Sequence, residues 1–257
     1  MEKLFDVKGL EVVYRKGGAK FRAVKGVDFT LSSGETLGIV GESGSGKSTI
    51  AKALLLIEKP SAGAILFRGA DVTAFDAAAK RQYRRDVQMV FQDATGSLNP
   101  RMTVRQTLAE ILKVSGSRRH TAEQLLDLVG LSKAVLGQYP REMSGGQCQR
   151  VSVARALAAG PQVLVADEPV SALDVSVQAR LLNLFRDLRR ELGLAVLLIA
   201  HDLAVVKNVC DRVAVMQRGL FVDAGATKDV FEHPASDYTR ELLSAVPDVR
   251  RALAARG

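Results

Sequence analysis

Eight residues, Gly41-Glu42-Ser43-Gly44-Ser45-Gly46-Lys47-Ser48, have the types and spacing of a triphosphate cradle. Glycines let the backbone wrap phosphate oxygens without a Cβ in the way, Lys47 brings a point charge to the β- and γ-phosphates, and Ser48 offers a hydroxyl to Mg²⁺. Adjacent carboxylates, Asp167 and Glu168, end the apolar run Val163-Leu164-Val165-Ala166. Asp167 suits Mg²⁺, and Glu168 suits polarising the water that attacks the γ-phosphorus. Gln92 follows an alternating run from Val87; it is an ordinary surface amide or a side-chain oxygen within reach of Mg²⁺. His201 follows the apolar run Leu194 to Ala200. A lone histidine is more often structural, but one leaving on the same edge as Lys47, Gln92 and Glu168 favours a γ-phosphate contact.

These groups need elements that deliver them to one place. Thr36-Leu37-Gly38-Ile39-Val40 predicts a strand buried on both faces, and Ile50, Ala53, Leu54 and Ile57 predict a helix after the loop. Backbone N–H groups and the positive end of the helix dipole then point at whatever the loop holds. The runs Val163 to Ala166 and Leu194 to Ala200 predict further buried strands, with Val87, Met89 and Phe91 on one face of a strand ended by Gln92. In an open α/β sheet the ligand crevice lies beyond the carboxyl ends of the strands.

Leu10 to Tyr14, a Gly17-Gly18 turn and Val27 to Leu31 read as antiparallel strands, with Tyr14 either stacking on an adenine ring or simply in the core. From Ser97 onward helices replace strands. Thr103 with Gln106 and Thr121 with Gln124 are capping boxes, and together they predict a small helical insert. Ser144-Gly145-Gly146-Gln147 opens another helix, and on spacing alone an anion site and an unliganded capped helix both stay open. Asp174 is placed to cap the helix bearing Val177, Leu181, Leu184 and Leu188. Val213 to Val222 reads as a hairpin around Arg218-Gly219, and residues 227–257 as a helical tail.

The 257 residues, 47% hydrophobic and 25% charged, fit an ordinary globular protein. No apolar stretch approaches the roughly 20 residues that cross a bilayer. The charged start Met1-Glu2-Lys3 is unlike a signal peptide, so a cytoplasmic location is expected. Cys148 and Cys210 form neither a disulfide framework nor a metal cluster and are expected as reduced thiols. The net charge of +8 is spread along the chain, which favours a solvated basic surface over a nucleic-acid site.

Taken together, the chain resembles the ATP-binding subunit of ABC transporters along nearly its whole length. Gly41 to Ser48 matches that family's Walker A loop, Gln92 its Q-loop, and Ser144 to Gln147 its signature motif. Val163 to Glu168 matches Walker B, Ser171 to Asp174 the D-loop, and His201 the switch histidine. The resemblance implies an α/β P-loop NTPase with a mixed sheet core (about 1–92 and 144–230), an N-terminal antiparallel β subdomain, an α-helical subdomain (about 93–143) and a His-Pro tail (about 231–257). It implies ATP and Mg²⁺ as cofactors. The nucleotide would be held by Tyr14, Gly41, Glu42, Ser43, Gly44, Ser45, Gly46, Lys47, Ser48, Thr49 and Gln92, and by Ser144, Gly145, Gly146 and Gln147. The metal would rest on Ser48, Gln92 and Asp167, and catalysis on Glu168 and His201. In the family each ATP lies between one subunit's loop and the signature helix of a second, so a lone subunit should be nearly inactive.

Phe91-Gln92-Asp93, Ser97 to Thr103, Glu168 to Ser176 and the tail from His233-Pro234 to Val246-Pro247 look like the dipeptide, oligopeptide and nickel importer branch. Longer members carry a cysteine cluster after this tail, and with none here no iron–sulfur site is expected. The implied partners are two membrane permease subunits docked on the helical insert, a second ATPase subunit and, indirectly, an external solute-binding protein, with no nucleic acid. The implied location is peripheral, on the cytoplasmic face of the inner membrane. The alternatives are an ATPase subunit of a soluble enzyme assembly, such as one that breaks down phosphonates, and a nucleic-acid-remodelling ATPase.

Overall fold

The computed structural model describes residues 2–16, 19–171 and 174–245. It opens with two long antiparallel strands, β1 (Lys3–Lys16) and β2 (Ala19–Ser32), in a register that sets Tyr14 opposite Phe21. Gly17 and Gly18, the expected turn, lie outside the described residues. The buried β3 (Thr36–Val40) runs into the phosphate loop, and α1 (Lys47–Leu54) leaves it. β4 (Ala62–Phe67) and β5 (Ala70–Asp71) complete a four-stranded antiparallel sheet in the order β2-β1-β4-β5.

After α2 (Ala77–Asp86) and β6 (Val87–Val90), residues 93–143 form no strand. They hold α3 (Ala94–Ser97), α4 (Val104–Ser115) and α5 (Ala122–Leu128). Both capping boxes are present, each with a threonine hydroxyl on the backbone N–H three residues on and a glutamine reaching back to the threonine N–H. The chain then alternates through α6 (Gly145–Ala158), β7 (Val163–Asp167), α7 (Val175–Leu192), β8 (Ala195–Ala200) and α8 (Leu203–Lys207). A hairpin of β9 (Arg212–Gln217) and β10 (Leu220–Ala226) precedes α9 (Thr227–Glu232) and α10 (Asp237–Ser244).

The second sheet has the order β10-β9-β3-β8-β7-β6, parallel throughout except for β10 against β9. Apolar cores lie on both its faces, which explains its uninterrupted apolar strands. Ala195, Leu197 and Ile199 of β8 face the core shared with α1 and the antiparallel sheet. Val196, Leu198 and Ala200 face the core shared with α4 to α7. The fold is thus the α/β arrangement expected: a mixed sheet, an antiparallel N-terminal sheet and an all-helical insert.

Three local expectations are corrected. β6 stops where its pairing with β7 runs out, at Val90 opposite Ala166, so Phe91 and Gln92 lie beyond the strand and are exposed; Val87 and Met89 do face the core. α1 ends before Ile57, which is 59% exposed. There Leu56 takes a left-handed conformation (φ 56°), and the Ile57 N–H returns to the Lys52 carbonyl at 2.9 Å, closing the helix in the manner of a Schellman turn. The tail is two short helices interrupted at His233 to Ala235, and residues 246–257 lie outside the described residues.

Candidate functional site

Close packing shapes the loop between β3 and α1. Gly41 (φ 151°) and Gly46 (φ 114°) have backbone conformations that side chains rarely adopt. A Cβ at Gly41 would overlap the Met216 carbonyl oxygen of β9, and one at Gly46 would overlap that of Ala23 in β2. The loop is therefore pressed between the two sheets, with Gly46 at the N-terminal cap of α1. The free N–H groups of that helix end supply the positive dipole that an anion seeks.

Lys47 is only 3% exposed, and its Nζ donates to the carbonyl oxygens of Gly41 (2.7 Å) and Glu42 (2.8 Å) and lies 4.0 Å from Glu168 Oε1. Burial pulls its ammonium below the ordinary lysine value, against the opposing pull of Glu168, Asp167 and Glu42. Ser48 Oγ donates to Asp167 Oδ1 at 2.9 Å, joining the first turn of α1 to the end of β7. Burial pushes the Asp167 carboxyl up, partly offset by this hydrogen bond. A phosphate anion and a divalent cation would each supply the charge that these buried groups lack.

Glu168 sits at φ 46°, a strained conformation for a non-glycine residue, with its N–H held by the Ile199 carbonyl of β8 at 3.0 Å. Its own carbonyl accepts Ser171 Oγ (3.1 Å), and that hydroxyl accepts the Gln92 side-chain N–H (3.1 Å). Gln92 is thus tied to the backbone of Glu168 through Ser171, with its amide oxygen the atom left to meet a cation. Ala172 and Leu173, which follow Ser171 in the sequence, lie outside the described residues.

A cleft of about 320 Å³ gathers Ser43, Gly44, Gly46, Lys47, Ser48 and Thr49 of the loop with Gln92 and Glu168, and with Tyr14, Phe21 and Ala23 of the β1–β2 hairpin. Tyr14 packs against the core and also lines this cleft, so both of its readings stay open. Gly41, Glu42 and Ser45 of the loop do not line this cleft, and among the described residues the buried Ser45 hydroxyl has no hydrogen-bond partner. Asp167 reaches the cleft through Ser48. His201 stands exposed just past β8, between the ends of β3 and β7 in the sheet order. Ser144, Gly145, Gly146 and Gln147 are not brought to this cleft. Ser144 instead caps α6, accepting the Gln147 N–H at 3.3 Å and donating its own N–H to Gln147 Oε1 at 2.8 Å.

Sequence reasoning missed Phe21 and Ala23, although a two-residue turn at Gly17-Gly18 implies the register that places Phe21 across from Tyr14. It also missed Tyr238 of α10, whose hydroxyl accepts the Glu42 N–H at 3.0 Å. No local pattern marks that contact. Two larger and more apolar depressions, of 530 and 580 Å³, lie around Ile57, Met89, Phe91 and Arg155, where β6 meets the helical insert; the second also has Gln92 and Asp167 in its wall.

Residues 24–171 match the family model described as ABC transporter. The chain is 44% identical over 261 residues to the oligopeptide transport ATP-binding protein OppF of Lactococcus lactis, covering 97% of this chain and 82% of that protein. It is 45% identical over 254 residues to OppF of Streptococcus mutans, covering 96% and 82%. Among solved structures it is similar to cbiO1 of Clostridium perfringens, part of the ABC transporter complex cbiONQ, with a TM-score of 0.79, 26% identity and coverage of 99% and 100%. A dimeric ATP-binding cassette in a post-hydrolysis state bound to ADP and Pi is similar at a TM-score of 0.76 and 28% identity, covering 87% of this chain and 99% of that one. A phosphate loop joined to strand-end carboxylates, on this fold and with these likenesses, makes the chain a member of the ABC transporter family of ATPases.

Proposed function

We propose that this chain is the ATP-hydrolysing subunit of a membrane importer for peptides. The observation that carries the reading is the junction of loop and sheet: Ser48 on Asp167 at 2.9 Å, with Lys47 4.0 Å from Glu168. ATP would lie with its phosphates on the loop N–H groups and Lys47, and its base toward Tyr14 and Phe21. The hydroxyl and carboxylate oxygens of Ser48 and Asp167, with the Gln92 amide oxygen, fit Mg²⁺, which prefers hard oxygen ligands and keeps few from protein. When bound, Mg²⁺ would neutralise charge on the β- and γ-phosphates. Glu168 would orient and deprotonate the attacking water, and His201 would contact the γ-phosphate from the neighbouring strand end.

Ser144 to Gln147, standing apart from this cleft, support a site completed by a second ATPase subunit whose α6 N-terminus meets the γ-phosphate. Dimeric relatives of the same fold agree with such a pair. Among the described residues no helix is long and apolar enough to cross a membrane, which fits a peripheral subunit bound to permease chains. The apolar hollow around Ile57, Met89 and Phe91 is the surface we assign to the permease. An external solute-binding protein would deliver cargo to that permease. Relatives named for oligopeptide transport favour peptides over nickel as cargo, and favour an importer over a phosphonate-type enzyme assembly.

The test is Glu168→Gln in the purified chain, followed by ATPase rate and size-exclusion chromatography with Mg²⁺ and ATP. Binding should be retained, turnover lost by at least about a hundredfold, and the chain trapped as a dimer. Hydrolysis at the wild-type rate would remove Glu168 from this role.

A further inference from the structure

We propose that Tyr238, near the start of α10, is a positioning residue for the nucleotide. It holds the peptide unit on which Lys47 rests. This rests on the reading that the loop binds ATP.

The Gly41–Glu42 peptide unit is gripped at both edges. Its carbonyl, Gly41 O, accepts Lys47 Nζ at 2.7 Å, and its N–H, on Glu42, donates to Tyr238 Oη at 3.0 Å. In a trans peptide these groups point in opposite directions, so the ammonium and the phenol fix one plane from two sides. That plane needs fixing because Gly41, at φ 151°, gives the loop entry a soft pivot that no side chain restricts. Without Tyr238 the Glu42 N–H loses its partner, and the peptide can rotate the Gly41 carbonyl away from Lys47.

Tyr238 is itself rigidly placed. It is 7% exposed and belongs to the apolar core that includes Val230 and strand residues of the parallel sheet. Ser236 caps its helix by accepting the Thr239 N–H at 3.0 Å, and the preceding Ala235 N–H is held by Asp223 Oδ2 of β10 at 2.7 Å. A second tether acts nearby, where the Gly219 N–H of the β9–β10 turn donates to the Ser45 carbonyl at 2.8 Å. The β9–β10 turn and α10 therefore hold the loop through residues that do not line the cleft. Lys47 Nζ also rests on the Glu42 carbonyl at 2.8 Å; Tyr238 fixes its other carbonyl contact, through Gly41, and this preorganisation strengthens binding.

Tyr238→Phe removes the hydroxyl and keeps the ring that fills the core. We expect this variant of the chain to bind a fluorescent ATP analogue about three- to tenfold more weakly, the scale of one lost hydrogen bond. Its melting temperature without nucleotide should stay within about 2 °C of wild type. Hydrogen exchange in the peptide spanning Gly41 to Gly46 should quicken at the same time. Affinity within twofold of wild type or tighter overturns the proposal. So does weakened affinity accompanied by a fall in melting temperature of more than about 5 °C, which marks a purely structural role. If the wild-type chain itself fails to bind the analogue, the ATPase reading falls first, and that result is separate from any difference between the two proteins.

Discussion

Lys47 and Asp167 are buried with opposite charges, and burial shifts both toward their neutral forms. For Asp167 the consequence is testable. Its native pKa lies above the ordinary aspartate value, so between the two values the folded chain holds a proton that the unfolded chain releases. Stability therefore falls as pH rises through that window, and the penalty persists at neutral pH. Asp167→Asn should raise the melting temperature of the nucleotide-free chain in chelator by about 2 °C near neutral pH, an advantage that shrinks on acidification toward the ordinary aspartate range. The same variant should lose Mg²⁺-dependent ATP affinity. An unchanged or lower melting temperature, measured by calorimetry, would contradict the burial argument. At this scale Lys47, Ser48, Asp167, Glu168 and Gln92 were legible because their spacing against buried strands is itself the signal. Tyr238 and Phe21 were not, because one depends on where a distant helix packs and the other on hairpin register.

Helix starts do much of the positioning. Thr103, Thr121, Ser144 and Asp174 each accept a backbone N–H in the first turn of the helix they cap, and all four were readable as local hydrogen-bonding patterns. Ser144 carries one observed task, capping α6, and one proposed task, touching a partner's γ-phosphate, which Ser144→Asp separates. Aspartate is as good a cap and adds about 0.3–1 kcal/mol at a helix N-terminus, so the melting temperature should hold or rise slightly. Its charge would repel phosphate, so ATPase activity of the assembled pair should be lost. Activity near wild type would show that Ser144 only caps. Element ends were the least legible part: β6 stops when β7 offers no further partner, and α1 stops at a left-handed Leu56 that propensity does not foretell.

On the proposed reading, the whole molecule carries half of a catalytic site on each of two surfaces. The loop, Asp167, Glu168, Gln92 and His201 gather at one edge of the parallel sheet, and the α6 start stands elsewhere. The buried strands and the antiparallel hairpin were readable from apolar periodicity, because strands buried on two faces and strands buried on one leave different patterns; the helical insert was readable from its capping boxes, and the mixed sheet was implied by the family resemblance. Assembly is less visible, since the surfaces that meet a partner look like ordinary exposed residues until the fold groups them. What everything else depends on is the grip of the loop on a nucleotide. Isothermal titration calorimetry of Mg²⁺-ATP into the purified chain tests that grip directly. We predict saturable heat with about one nucleotide per chain for one phosphate loop, lost when Lys47→Ala removes the ammonium. Absence of any heat for the wild-type chain, or equal binding by the Lys47→Ala variant, would contradict it.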